Sequence, residues 1–214
     1  MTRRPQVPAQ LDAVIDPMLE DGSSWERCEL TGESTGDATV DVEFSECAMR
    51  SLRLTGARFV RPRFRDCRFE HCELSGVVFE DAVFDRVEFV DCRLSGAVLS
   101  DGRLRHVRFH RCRMDGIVLR MVSTVQLSIE ECQLPAADLY GADLRNATIL
   151  DCDLSSADIS NVRLSGARLH GSDLCDAVGG AALRDVQIDA GQVVPVAMLV
   201  LEGLGISITD RPTT

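Results

Sequence analysis

The sequence predicts an all-β solenoid of short, four-sided coils, and three regularities carry the prediction. The first is a period of five: from Phe44 to Leu174 every fifth residue is apolar except Thr124, and all eight phenylalanines fall in this one phase. Neither the 3.6-residue period of a helix nor the two-residue period of a strand gives this pattern, whereas a fixed longer period marks a repeat architecture. The second is a smaller apolar set two residues earlier, which includes Cys47, Ala57, Cys67, Cys72, Ala82, Cys92, Ala137 and Ala142. Residues two apart in extended backbone point the same way, so each unit buries one large and one small side chain and then turns. The third is a spacing of twenty, shared by Cys72, Cys92, Cys112, Cys132 and Cys152 and by Gly56, Gly76, Gly96 and Gly116. Twenty residues are four units, so each coil has four walls and stacks on the next at about 4.8 Å, the spacing of neighbouring strands. The in-phase units make nearly seven coils, a rod roughly 32 Å long.

Taken in order, residues 1–22 form an N-terminal extension, partly disordered or a short capping helix over residues 10–19 that Pro17 limits. Residues 23–188 form the β-helix. Its first coil is irregular: Trp25 and Leu30 fit one phase and Phe44 opens another one residue short, so residues 31–43 are expected to hold a tighter or bulged corner. Residues 121–128 keep the phase but lose the pattern around it. No insertion interrupts residues 44–174, so no long loop projects from the rod. Residues 189–214 form a C-terminal helical cap and tail, with Pro195 in the first helical turn and Gly203 at its stop. Val194, Met198 and Leu201 would line one apolar face of that helix, and Ala197, Val200 and Leu204 another. A helix apolar on more than one side needs two partners. One is the last coil. The other is either absent, in a monomer with a shorter helix, or a second subunit across a two-fold axis; the dimer is expected, through Val194, Ala197, Met198, Leu201 and Leu204, because a simple cap should turn a polar face outward.

The nine cysteines follow from the same geometry. All but Cys175 fall at the small position of a unit, where cysteine serves as a small hydrophobe. No close C-x2-C pair suggests a metal, and no metal or other cofactor is expected. Met1-Thr2-Arg3-Arg4 leads into Pro5 with no apolar stretch behind it, and the run Val193 to Leu201 is too short to cross a bilayer, so a soluble, cytoplasmic protein is expected. The four histidines fall at outward positions without a nucleophile or carboxylate constellation, and a packed rod leaves no substrate-sized cavity; no enzymatic activity is expected.

Charge is the remaining signal. The net charge is −11 and every one of the 23 cations is arginine, which disfavours direct binding to nucleic acid or an anionic membrane. By segment the charge is −7 over residues 1–43, +4 over 44–120 and −9 over 121–210. In the C-terminal half the acids recur one coil apart: Asp138 with Asp158, and Asp153 with Asp173. Together with Asp143 and Asp151 they form a candidate acidic binding face. The competing reading is that an Asp before the central residue serves only the backbone turn. Likewise Arg61, Arg63, Arg65 and Arg68, with Arg103, Arg105, Arg108, Arg111 and Arg113, either dock an acidic partner or pair with nearby acids across coils.

The units Ala137-Asp138-Leu139-Tyr140-Gly141 and Ala142-Asp143-Leu144-Arg145-Asn146 resemble the A(D/N)LXX repeat of the pentapeptide-repeat proteins, and the resemblance extends over about residues 23–188. It implies a right-handed quadrilateral β-helix. The loop-free repeats and the apolar C-terminal helix look like the mycobacterial fluoroquinolone-resistance branch of that family, and less like the Qnr-type branch with its projecting loops. That group implies a DNA mimic which binds DNA gyrase and blunts quinolone action, as a homodimer through the C-terminus. Asp138, Asp143, Asp153 and Asp158 match its acidic position, whereas the basic stretch 44–120 departs from a uniformly acidic rod. A scaffold for a partner other than a topoisomerase is the alternative.

Overall fold

Each wall of the coil is only long enough for one large and one small inward side chain, so the backbone must turn every five residues. The computed structural model, which describes residues 2–34 and 38–209, shows how it turns. Every fifth residue from Glu46 to Asp176 lies in the left-handed region, with φ between 50° and 76°. Where the turn closes with a main-chain bond, as from Ala57 N to Leu54 O (3.0 Å) or Ala137 N to Leu134 O (3.2 Å), the left-handed residue sits at the third position of a type II turn.

The result is a right-handed quadrilateral β-helix of about seven turns closed by one short helix. Its four walls are named here by their central residues: wall A runs from Phe44 to Leu164, wall B from Met49 to Leu169, wall C from Leu54 to Leu174 and wall D from Phe59 to Ile159. All pairing between coils is parallel, and from Phe44 onward it joins each residue to the one twenty later, as in Phe44↔Phe64, Phe64↔Phe84 and Phe89↔Phe109, until the last bridge, Arg168↔Gln187, falls one residue short. Between walls A and B the strands Arg63–Glu70, Val83–Val90 and Arg103–His110 run straight through the corner, with Asp66, Arg86 and His106 as left-handed kinks. The register puts like on like inside. Phe64 and Phe84 stack at 4.9 Å, and Phe69, Phe89 and Phe109 stack at 4.6 and 4.8 Å, each pair adding about 0.5–1.5 kcal/mol beyond simple burial. Thr124, the one exception to the apolar series, is half-buried and donates its hydroxyl to Asp143 O at 2.7 Å.

The small position carries two thiol ladders, Cys47–Cys67 on wall B and Cys72 to Cys152 on wall C. Both are buried and free of disulfides. Hydrogen bonds from neighbouring thiols, reinforced by burial, push Cys92 and Cys132 well above the usual thiol range.

The N-terminal end differs from the sequence expectation. Residues 10–19 do not form a helix: Asp12–Ile15 is a strand in parallel register with Cys28–Thr31. The first coil would otherwise expose a row of unpaired main-chain groups, and a strand pairs them where a short, proline-limited helix would not. The early coils are short. Val14 lies on Leu30, Trp25 on Phe44 and Leu30 on Met49, offsets of sixteen, nineteen and nineteen residues, before the steady twenty begins. Of the irregular segment 31–43, residues 35–37 lie outside the described residues.

At the other end, a 3-10 turn at Gly180–Ala182 and a second at Ala190–Gln192 lead into helix α1 (Val193–Gly203). The helix buries Val196 and Leu199 against the last coil, neither of which belongs to the two faces read from the sequence. Helix α1 ends at Gly203, but Gly203 is not the residue that reverses the chain. The chain leaves the helix at Leu204 and reverses at Gly205, φ 71°, with Ile206 N bonded back to Leu201 O at 2.8 Å. Gly203 instead permits close docking, since a Cβ there would lie 2.4 Å from Ala181 N, and one on Gly180 would lie 2.0 Å from Leu199 O. The last coil's open edge is sealed by the buried side chain of Gln192, whose amide donates to Leu169 O (2.7 Å) and Ser172 O (2.6 Å). No helix among the described residues is long and apolar enough to cross a membrane.

Two measurements follow from these packing rules. In the native protein a small thiol reagent should modify Cys175 fully and the half-buried Cys28 slowly, and leave the other seven cysteines unmodified until the chain unfolds, as read by intact mass. On the wall C–wall D corner, Ala136 continues a column of glycines with φ 55°. Ala136→Gly should remove a left-handed strain of about 1 kcal/mol and raise the unfolding midpoint by roughly 2–4 °C.

Candidate functional site: an acidic strip on the last three coils

A surface built on a twenty-residue register stacks charges as strictly as it stacks phenylalanines. Through the middle of the rod this stacking joins opposite signs. Arg61 bonds Asp41, Arg105 bonds Asp85 and Arg111 bonds Asp91, each one coil apart at 2.7–2.8 Å. Arg86 bonds Asp66 in the same way, and Arg108 bridges Glu88 (3.0 Å) and Glu130 (2.7 Å). Arg63 and Arg68 also reach carboxylates, Glu43 and Glu70, and Arg113 reaches Asp115. Most of the arginines that made the segment 44–120 basic in the sequence are therefore tied down within the rod. Exposed pairs of this kind contribute little stability, at most about 1 kcal/mol each. Their larger effect is to reduce the positive charge left for a partner.

Beyond residue 130 the pattern changes. Walls C and D and the corner between walls B and C carry Glu131, Asp138, Asp151, Asp153, Asp158, Asp173 and Asp176, and the four arginines that follow Arg120 among the described residues lie elsewhere. Arg145 and Arg163 are on wall A, Arg168 is on wall B and Arg184 is beyond the last full coil. Asp138 sits directly over Asp158 on wall D, and Asp153 over Asp173 on wall C. Seven carboxylates over three coils, about 14 Å of axis, give roughly one charge per 2 Å, against about one per 1.7 Å for duplex DNA. Arg120, stacked on the Tyr140 ring at 4.8 Å, meets Asp138 at 3.5 Å and marks the upstream limit of the strip.

The stacked aspartates also have a local task. In each, one oxygen accepts a main-chain N–H two residues on: Asp138 from Tyr140 (3.1 Å), Asp153 from Ser155 (2.9 Å), Asp158 from Ser160 (2.8 Å) and Asp173 from Cys175 (2.9 Å). This is the turn-forming role that the sequence left as the competing reading, and it occupies only one of the two carboxylate oxygens.

The residues singled out in the sequence thus divide. Asp138, Asp158, Asp153 and Asp173 are brought to two adjoining walls, with Asp151 at the next corner. Asp143 is separate, on wall A, where Arg145 (2.7 Å) and Arg163 (3.6 Å) take its charge; the Arg145 guanidinium holds its carboxyl below the usual range. Sequence reading passed over Glu131 and Asp176, although their places at the left-handed corner position of the repeat put both on the surface. Of the helix residues, Val194, Ala197, Met198 and Leu204 are exposed and Leu201 is half-buried, so α1 presents apolar surface away from the rod. Among the described residues no cluster of three or more metal-ligating side chains occurs.

Comparison with known proteins agrees with this architecture. Residues 62–137 match the family described as pentapeptide repeat region, and residues 132–176 match pentapeptide repeats (8 copies). No curated protein sequence matches the chain. Among solved structures it is similar to HetL, a pentapeptide repeat protein involved in heterocyst differentiation regulation from the cyanobacterium Nostoc sp. strain PCC 7120. The identity is 18%, the TM-score is 0.52, and the alignment covers 84% of this chain and 88% of that one. It is also similar to a trypsin-treated variant of QnrB1, a plasmid-mediated fluoroquinolone resistance protein, at 20% identity and a TM-score of 0.48, covering 93% and 98% of the two chains.

Proposed function

The chain belongs to the pentapeptide-repeat family, and from that premise we propose that it is a DNA-mimicking binding protein whose acidic strip occupies the basic DNA-binding surface of DNA gyrase or a related type II topoisomerase. The observation that carries this reading is the strip itself: carboxylates stacked without intervening arginine on walls C and D and the corner between walls B and C, at a linear density close to that of a nucleic acid backbone. A basic saddle evolved for DNA recognises that density and sign, and long-range attraction would speed the encounter. The pairing of arginines in the middle coils supports the same reading, since it removes much of the positive charge that opposed it.

The protein acts as a homodimer through α1. Val194, Ala197, Met198 and Leu204 give it an exposed apolar face, and the tail adds Ile206 and Ile208 beside it. The strip ends at Asp173 and Asp176, and Asp176 lines the same groove as Met198, Ile206 and Ile208. A two-fold axis there would join two strips end to end.

Purified protein at micromolar concentration should inhibit gyrase supercoiling or reduce quinolone-induced cleavage. The combined variant Asp138→Asn, Asp153→Asn, Asp158→Asn and Asp173→Asn keeps an oxygen for each turn bond but removes four charges. It should remain folded, lose at least tenfold in potency and show a weaker salt dependence. Absence of any effect of the unaltered protein on gyrase would sink the topoisomerase reading and leave a scaffold with a different partner. In solution the protein should sediment as a dimer, and Met198→Glu should yield a folded monomer; a monomeric unaltered protein at micromolar concentration would overturn the end-to-end joining of two strips.

A further inference from the structure

The N-terminal residues do not hang free of the rod. Residues 2–6 run back along the corner between walls A and B, against the direction of the solenoid and across its strands. Gln6 N donates to Asp66 Oδ1 at 3.1 Å, Arg3 N to His106 Nδ1 at 3.4 Å, and the Thr2 hydroxyl to Gln126 O at 3.4 Å. The intervals fit an extended chain. From Gln6 to Arg3 the arm crosses two coils, about 9.6 Å, in three residues, close to the ~3.3 Å per residue of extended backbone. The acceptors Asp66, His106 and Gln126 are left-handed corner residues of successive or alternate coils, so the fold itself spaces them. Two of the three donors are main-chain amides, and Pro5 and Pro8 stiffen the arm and lower the entropy lost on docking.

The track continues past the position of Thr2. A groove of about 660 Å³ begins under Thr2 to Pro5 and continues along wall B past Gln126 to Thr148, Arg168 and Gln187. In it Arg108 is held by two carboxylates, whereas the Arg168 guanidinium bonds the Thr148 hydroxyl at 2.7 Å and makes no ion pair among the described residues. The groove therefore offers two further coils of contact, and a cation at its far end, to a segment that runs on past the position of Thr2.

We propose that the corner from Asp66 to Gln126, with the groove beyond it, is a binding track for an extended peptide, occupied in the free chain by its own N-terminal arm. Its partner is a proline-bearing extended segment of another protein that bonds through its main chain as the arm does and carries an acidic residue about three positions before the place of Thr2, opposite Arg168. The arm keeps the track shut, and the ion pair with Arg168 favours the segment that displaces it. The imidazole of His106 must be neutral to accept the Arg3 amide, and burial together with Arg3 and Arg105 holds it below its usual range, which suits that role.

The test uses the full chain and two fluorescently labelled peptides: the arm sequence of residues 2–11, and the same sequence with an aspartate three residues upstream of Thr2. The variant Arg3→Pro/Gln6→Pro removes both main-chain donors from the arm without shortening the protein. It should bind the arm peptide at least tenfold more tightly than the unaltered chain does. The extended peptide should bind the variant about threefold to fivefold more tightly again, and lose that gain with Arg168→Ala. Equal binding of the arm peptide to the unaltered and proline-substituted chains, or binding to neither, would overturn the track, as would an extended peptide indifferent to Arg168→Ala. A second measurement stands apart from any variant. Hydrogen exchange at Arg3 and Gln6 should be slowed at least tenfold relative to the free peptide, and exchange at the free-peptide rate would show that the arm does not occupy the corner.

Discussion

The rest of this structure depends on the width of its interior. Four walls so close together admit one large and one small side chain apiece, so the backbone has to turn every five residues, and it does so through a left-handed residue at each of the corners from Glu46 to Asp176. Once that turn is fixed, the register is fixed. Each coil lies on the last with a twenty-residue offset, and every side chain stands over its own equivalent. Inside the rod the consequence is ladders of phenylalanine, leucine and thiol. On the outside it is that any charge chosen for one coil is placed about 4.8 Å from the charge chosen for the next.

That outer consequence gives the rod its two electrostatic regimes. Where arginine alternates with aspartate or glutamate, as at Asp66 and Arg86 or Asp91 and Arg111, the stack neutralises itself. Where aspartate follows aspartate, as at Asp138 and Asp158, the stack accumulates charge, and two carboxylates at that spacing repel by about 1 kcal/mol even in water. The turn bond offsets the cost. Each of these carboxylates accepts a main-chain N–H, and a hydrogen bond to a charged group contributes about 1.5–3 kcal/mol. The structural role of these aspartates and the binding role proposed for them are therefore not rivals. The corner anchors one oxygen, and in doing so holds the other at a regular spacing on the surface.

The sequence disclosed what the narrow core dictates, and little of what main-chain bonding dictates. The period of five, the small partner position and the four-walled coil were all legible, because each is a constraint on side-chain size repeated at every unit. The strand at Asp12–Ile15 was not, because an edge strand that pairs through its backbone needs no inward periodicity, and its side chains are largely exposed. The arm of residues 2–11 escaped notice for the same reason. Gln192 was missed because a buried amide that seals an open edge looks, in sequence, like an ordinary polar residue. In α1 the apolar residues were recognised but the buried face was not, since a helix apolar all round gives no sign of which stripe meets the rod; Val196 and Leu199 do. Within the candidate site the ladders Asp138–Asp158 and Asp153–Asp173 followed from the register, but the neutralisation of Asp143 depended on Arg145, only two residues away and close to its carboxylate because both lie on wall A.

The faces of the rod are not equivalent, and their differences run in a consistent order around it. Walls C and D meet at a corner of small residues, Gly56 to Gly116 and then Ala136 and Ser156, where turns lie flat. The diagonally opposite corner, between walls A and B, is where the strands run through and where the N-terminal arm lies. A large partner surface approaching the rod therefore meets the least obstruction on the side that carries the acidic strip, while the opposite side has its main-chain track already filled by the chain itself. The arm, by lying on its own corner, leaves the strip clear, and helix α1 at the end of the rod sets where the strip stops. One five-residue turn repeated without insertion thus yields a flat charged side, an edge suited to an extended peptide and an apolar end, because the register assigns every position of the repeat to a fixed place on the surface.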